Sequence, residues 1–264
     1  MTAPQLELRP LHSVDREAGE YAAWRRFRAY RDIDRDDVSR FVGKFSMVCD
    51  TRRKMVLHQP GEEQRYVFLC VTGRAIASVE AEEGRRYIHR LYRPGDLIGL
   101  EDTNWTYATS TASVIEGGQV LAMEKADLVE LLAKDGPVAS ILFGIAMLDQ
   151  VMMIDRAQAN ARLPARWRVA HLLLTLEAEE NRYRDVEGPC FPVPLTQGQI
   201  ADSVGVTAVH ANRAFMQLIE EGYIARTGRE YEILRRDDLI AETGWTDRHR
   251  IGDHFAAEED AMAA

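Results

Sequence analysis

The chain has 264 residues, 46% of them hydrophobic and 28% charged, a balance that suits one or two folded domains and excludes a largely disordered chain. Its 33 basic and 42 acidic residues leave a net charge of −9, which taken alone argues weakly against nucleic acid as a partner. Three cysteines, Cys49, Cys70 and Cys190, are too few for a disulfide scaffold or for a four-thiolate iron–sulfur cluster in one chain, and fit a reducing cytoplasm. No uninterrupted run of about 18 apolar residues occurs, so no membrane span is expected. The N-terminus lacks the basic and apolar regions of a secretory signal.

In chain order, residues 1–43 read as an N-terminal helical segment. Tyr21, Trp24, Phe27 and Tyr30 recur at helical spacing within a helix expected over Ala18–Tyr30, and a shorter helix is expected over Asp37–Phe45. Residues 44–125 change texture. Short apolar runs (Met55–His58, Tyr66–Thr72, Ala75–Val79, Tyr87–Tyr92, Leu97–Leu100, Tyr107–Ile115 and Val120–Met123) alternate with Gly and Pro turn signals such as Gly73, Pro94-Gly95 and Gly117-Gly118. That rhythm predicts a small β-barrel or β-roll.

Residues 126–162 return to helix, with a short one ending at Gly136-Pro137 and a long one over Val138–Ala161. In the long helix Val138, Ile141, Ile145, Leu148, Met152, Asp155, Ala159 and Arg162 follow steps of three and four, an a/d seam. Met147, Val151 and Ile154 form a second stripe. Two stripes ask for two partners. One is the chain's own β-module and the other a second copy of the same helix, with the seam residues assigned to dimerisation; a fully buried core helix is the alternative. Asp155 on the seam is a charge that is costly to bury unless paired, and it marks where the helices begin to splay or is a regulatory weak point.

Residues 163–243 begin with a helix from Pro164 to about Arg182, pass through a proline-rich linker over Gly188–Pro194, and end in a compact motif. Thr196 and Gln199 form a T-x-x-Q capping box, and Gly205 allows the positive φ of a tight turn. Thr207 caps a second helix, whose buried stripe is Ala211, Phe215 and Leu218 and whose end is Gly222. Thr207, Ala208, His210, Asn212 and Arg213 are left facing outward or nearly so. Ile224, Arg226, Gly228, Arg229 and Tyr231–Leu234 read as a β-hairpin wing. This is a winged helix-turn-helix, whose second helix enters the major groove of double-stranded DNA. The acids of this region cluster at Glu177–Glu180, Asp185–Glu187 and Glu220–Glu221, away from Arg213, Arg226 and Arg229, so a local basic face survives the negative net charge. Residues 244–264 read as a disordered acidic tail.

The order of parts over roughly residues 38–240, the Arg93-Pro-Gly-Asp-Leu-Ile-Gly99 stretch and the helix-turn-helix resemble the Crp–Fnr family of bacterial transcription regulators. Val209-His-Ala-Asn-Arg213 resembles a subgroup seen mainly in alphaproteobacteria. The resemblance implies an α+β architecture: an N-terminal cyclic-nucleotide-binding-like β-roll, a long dimerisation helix and a C-terminal winged helix. It implies a cytoplasmic homodimer that binds an inverted-repeat operator and works with RNA polymerase, and no membrane partner. It maps Arg213 to guanine, and Thr196, Gln197, Thr207 and His210 to phosphates. Where many members carry a Glu reader, this chain has Val209 beside Ala208.

The sensor departs from the family pattern. Cyclic-AMP-binding members place Glu after the roll motif and an Arg about ten residues on. Here Leu100 follows Gly99, and no Lys or Arg occurs between Arg93 and Lys125. A buried phosphate needs a cation, so a cyclic nucleotide is not the expected effector. The cysteine cluster of the oxygen-sensing branch is absent. His58 and His89 are the residues available to a haem, but a satisfied histidine is the plainer reading of each. No cofactor and no metal are expected, and the effector is left open. No G-x-S-x-G, H-E-x-x-H, Walker loop or paired metal spacing supports an enzyme. The competing reading is a haem- or small-ligand-sensing protein-interaction module whose winged helix does not bind DNA.

Overall fold

The computed structural model describes residues 6–28, 33–80, 84–183 and 188–248. Tyr30, the acidic stretch Asp185–Glu187 and residues 249–264 of the expected tail lie outside them. The chain divides into two compact units, one within Met1–Glu80 and Ile88–Met147, the other within Ala81–Tyr87 and Leu148–Ala264.

The first unit is an antiparallel roll with helices. Its strands are β1 (Arg9–Pro10), β2 (Met47–Thr51), β3 (Val56–His58), β4 (Tyr66–Glu80), β5 (Arg86–Tyr92), β6 (Leu97–Ile98) and β7 (Thr111–Glu124). They are ordered β1-β2-β7-β4-β5, with β3 paired to β7 and β6 to β4. The expected breaks at Gly73 and Gly117-Gly118 are not turns. β4 and β7 run through them as two long paired strands whose register shifts between Cys70 and Ala75. Gly73 has φ +82, and a Cβ there would land 2.5 Å from the carbonyl oxygen of Glu116; a Cβ on Gly118 would strike the Thr72 carbonyl. The glycines are needed for a bulge where two backbones close on each other, and a bulge carries the same sequence signal as a turn.

Helices α1 (Ser13–Phe27) and α2 (Arg35–Val42) start ahead of the expected Ala18 and Asp37. Ala23, Phe27, Val38, Phe41 and Val42 share one buried cluster with Val67, Leu69 and Leu121 of the sheet, so the N-terminal segment is part of the roll's core. Arg26 of α1 makes a buried ion pair of 2.5 Å with Asp96, in the turn before β6. Gly95 in that turn leaves room for the Ala22 carbonyl and the Arg26 side chain.

Helix α3 (Lys125–Lys134) leads into α4 (Gly136–Arg162). Val138, Ile141 and Ile145, assigned from sequence to the dimer seam, are instead buried in this unit's own core beside Leu142. The heptad spacing identifies a buried face and is silent on what buries it. By length and composition α4 is also apolar enough to cross a bilayer, with mean hydropathy 1.8 over 18 residues, against the expectation that no segment would be. The core packing of its first half accounts for one apolar face, with Val138, Ile141, Leu142 and Ile145.

The second unit holds the C-terminal half of α4, α5 (Ala165–Tyr183), β8 (Cys190–Pro192), α6 (Gln197–Val204), α7 (Ala208–Glu220), β9 (Ile224–Thr227), β10 (Glu230–Ile233) and α8 (Arg236–Thr243). The proline-rich stretch taken for a linker supplies β8, which pairs with β10 and makes the wing three-stranded, ordered β8-β10-β9. Residues 244–248, expected as the start of the tail, are tied down. Trp245 is buried and its Nε1–H donates to Thr175 Oγ1 at 3.1 Å. Arg248 donates to both oxygens of Asp155 at 2.6 and 2.7 Å. Asp155 is therefore paired within its own chain. In the same region His171 is buried, and desolvation, helped by the charge of Arg156, pushes its pKa down to about 4.

Gly73→Ala should cost roughly 2 kcal/mol or more in urea unfolding, combining left-handed strain with the clash. Gly61→Ala, with φ +83 but open space around it, should cost only about 1 kcal/mol. Equal costs would mean that the bulge tolerates a methyl. For His171, the unfolded chain takes up a proton near pH 6.5 while the folded one stays neutral to about 4. Stability is then lost as pH falls through that window, by roughly 3 kcal/mol in total. Urea titrations at pH 7 and pH 4.5 should show a drop in wild type that His171→Gln reduces. An unchanged drop in the variant would exclude His171 as its source.

Candidate nucleic-acid interface

The C-terminal motif is built from local signals that the structure meets one by one. Thr196 Oγ1 accepts from the Gln199 backbone N–H at 3.2 Å, and Gln199 Oε1 accepts from the Thr196 N–H at 2.8 Å, closing the capping box of α6. Gly205, at φ 67, ends α6 in the left-handed region. Thr207 then caps α7, its Oγ1 accepting from the His210 backbone N–H at 3.3 Å. Two satisfied helix starts and one glycine turn fix the angle at which α7 leaves α6.

One side of α7 is dry. Ala211, Ala214, Phe215 and Leu218 are buried. The Phe215 ring packs 5.6 Å from Tyr231 of β10, which in turn lies 6.5 Å from Phe191 of β8. Trp167 of α5 meets Tyr223 edge-on at 5.5 Å. The three-stranded wing and α5 thus hold the helix from behind.

The other side is free. Thr207, Ala208, Val209, His210, Asn212 and Arg213 are all exposed, Val209 by 61%. Thr196 is exposed and Gln197 half-buried at the start of α6. Gln197 Nε2 donates to Asn212 Oδ1 at 3.4 Å, a long bond that joins the two helices on this face. Met216, one turn beyond Arg213, is 49% exposed on the same side. Sequence reasoning missed it, although its i+3 spacing from Arg213 carried the signal. In the wing, Arg226 and Arg229 are exposed. Arg226 stacks over the Tyr231 ring at 5.4 Å and donates to the Gly228 carbonyl at 3.0 Å, which holds its guanidinium at the hairpin tip. Arg166 pairs with Glu221 at 3.1 Å, offsetting an acid at the end of α7. The surface so assembled has hydrogen-bond donors, a free arginine and two small apolar side chains on one rigid helix.

The remaining seam residues are distributed unevenly. Leu148, Met152 and Asp155 are half-buried and Ala159 is buried. The exposed apolar side chains of α4 are Phe143, Met147, Val151, Met153 and Ile154.

In the roll, Gly99 takes φ 86, and a Cβ there would collide with the Gln64 side chain. Gln64 Nε2 donates to the Gly99 carbonyl at 3.0 Å. Glu101 accepts from the Tyr92 hydroxyl at 2.7 Å, and the fully buried Asp102 accepts from the Thr109 hydroxyl at 2.6 Å. His58 is buried, with Nδ1 at 3.1 Å from the Ser110 carbonyl oxygen.

Comparison with known proteins bears on both units. A family model described as a Crp-like helix-turn-helix domain matches residues 167–242. Over 179 residues, 66% of this chain and 71% of the relative, the sequence is 25% identical to the transcriptional activator protein FnrL of Cereibacter sphaeroides. The fold is shared with FixK2 from Bradyrhizobium japonicum, with TM-score 0.68 and 23% identity over 76% of this chain and 98% of that one. It is shared too with a CRP-family transcriptional regulator from Thermus thermophilus, with TM-score 0.58 and 22% identity over 73% and 94% of the two chains. Residues 167–242 thus match a Crp-like helix-turn-helix domain, and the antiparallel roll, long helix and winged helix in this order share the fold of these solved regulators.

Proposed function

We propose that the chain is a homodimeric, sequence-specific DNA-binding regulator that reads an inverted repeat through α7 and the wing. The observation that carries this reading is the division of α7 into a buried stripe and a free face bearing Arg213. Arginine there pairs in two places with guanine O6 and N7. Val209 accepts no hydrogen bond and packs best on a thymine methyl, and Ala208 adds no polar reader. The half-site is therefore guanine at the Arg213 position and loose or thymine-leaning opposite Val209. Arg226 and Arg229 reach the backbone from the wing. RNA polymerase is the partner that regulation of transcription calls for, and the relatives being regulators supports a protein without catalysis of its own. The reading involves no membrane and a cytoplasmic setting.

The dimer surface is the stripe Phe143, Met147, Val151 and Ile154, whose steps of four, four and three keep one face of α4. It replaces the seam inferred from sequence, of which Val138, Ile141 and Ile145 are taken up by the core. The effector is not a cyclic nucleotide. Gln64 covers Gly99, and the carboxylates of Glu101 and Asp102 flank a stretch without a cation where a phosphate would need one. Nor is a thiol switch favoured at Cys49 or Cys70, since burial pushes both thiols up and away from the reactive thiolate.

Binding-site selection from random duplexes tests the reading. Wild type should return an inverted repeat with half-sites about one helical turn apart. Arg213→Ala should lose about 1–3 kcal/mol per half-site and relax the guanine. Val209→Glu should shift the preferred base toward cytosine at its own position. Failure to enrich any repeat would favour the protein-interaction module instead. For the dimer, Met147→Asp with Ile154→Asp should give a folded monomer by light scattering and circular dichroism. Ile145→Asp should instead unfold the first unit, because that side chain lies in the core. A dimeric double variant would remove the stripe from the interface.

A further inference from the structure

The proton inventory at the two helix starts leads to a division of labour that the family resemblance does not give. It rests on the DNA-binding reading above. A phosphate oxygen accepts hydrogen bonds and donates none, so every side chain that holds it must bring a proton. A threonine hydroxyl has one. Thr196 Oγ1 accepts from the Gln199 N–H and donates its proton to Gln199 Oε1 at 3.0 Å. Thr207 Oγ1 accepts from the His210 N–H at 3.3 Å and lies 2.9 Å from His210 Nδ1. The Thr196 proton is therefore engaged inside the motif, and the Thr207 hydroxyl is within hydrogen-bond reach of the His210 ring, with the direction of that bond set by the tautomer.

We infer that Thr207 is a positioning residue that acts on DNA through His210, giving its hydroxyl proton to Nδ1 and so fixing the tautomer in which Nε2 carries the proton and serves as the phosphate donor. The two ring nitrogens are linked in this way generally: the bond made by one sets the protonation of the other. The hydroxyl accepts from the backbone N–H of His210, and its single proton is free to point at the ring nitrogen 2.9 Å away. His210 is exposed in the first turn of α7, where the helix end favours an anion, so the outward Nε2–H and the helix dipole address the same phosphate. The neutral donor is held by the cap itself, so the helix start and the contact form one unit. Capping and phosphate binding, separate roles in the sequence reading, are here two uses of one oxygen.

The test separates the cap from the proton. Glycine is nearly as good an N-cap as threonine and has no hydroxyl, so Thr207→Gly keeps α7 and removes the proton donor. Thr207→Ser keeps both. In the free protein at pH 8, nitrogen NMR of His210 should show the proton on Nε2 in wild type and Thr207→Ser, and a mixture in Thr207→Gly. On the selected operator, Thr207→Gly and His210→Ala should each weaken binding by roughly tenfold, with the double variant no weaker than either alone and the base preferences unchanged. The dependence of affinity on salt should fall little, because the donor is neutral. A wild-type proton on Nδ1, additive losses in the double variant, or a Thr207→Gly protein that binds like wild type would each overturn the assignment. Should wild type select no DNA at all, the DNA-binding reading falls and the phosphate role with it, whereas the NMR result separately decides the tautomer.

Discussion

Between Val138 and Ile154 helix α4 has apolar side chains on opposite faces, and a helix apolar on both faces must be covered from both. One face, through Val138, Ile141, Leu142 and Ile145, closes the core of the roll together with α1, α2 and the sheet. The other, through Phe143, Met147, Val151 and Ile154, faces solvent in the single chain. Fully burying one such side chain contributes about 1.5–3 kcal/mol, so leaving four of them wet is a standing incentive to associate. The same helix thus serves the fold of the roll and, on the proposed reading, the pairing of two copies. Two copies related by a two-fold axis are what an inverted-repeat operator requires.

The parts of the molecule legible in its sequence are those fixed by near neighbours. Thr196 with Gln199, Gly205, Thr207 and the Ala211–Phe215–Leu218 stripe each act within a few residues, and each stands as its local chemistry dictates. The parts that were misread depend on residues far away in the chain. Gly73 and Gly118 signal a backbone that bends, but whether it turns or bulges depends on a strand more than forty residues distant. Val138, Ile141 and Ile145 signal a buried face, but the roll and a partner helix would leave the same periodicity. Residues 244–248 look like the start of a polar tail, and only the distant Asp155 and Thr175 give Arg248 and Trp245 something to hold. Met216 was legible in its spacing, but a lone methionine one turn past Arg213 carries no polar group to mark it as part of a reading face.

The negative charge of the whole chain is reconciled with a DNA-binding role by how the charges are paired. In the second unit Arg166 is matched to Glu221, Arg236 to Glu177, Arg235 to Asp238 and Arg248 to Asp155. Exposed pairs of this kind add little stability, about 0–1 kcal/mol each. Their larger effect is on the field, because an acid closed by its own arginine repels a phosphate less than a bare one. Arg213 makes no ion pair among the described residues, and Arg226 is held by a neutral carbonyl and a ring face, so both guanidiniums keep their full charge. On the proposed reading, with few unpaired cations, non-specific attraction to the backbone is modest and falls only gently as salt rises. On that reading, discrimination then rests on the direct contacts of α7, with one arginine to read a base pair and one small apolar side chain that leaves its neighbour nearly unread. A regulator of this composition would gain specificity from having two half-sites in register more than from the strength of either, which on the proposed reading returns the burden to the exposed face of α4.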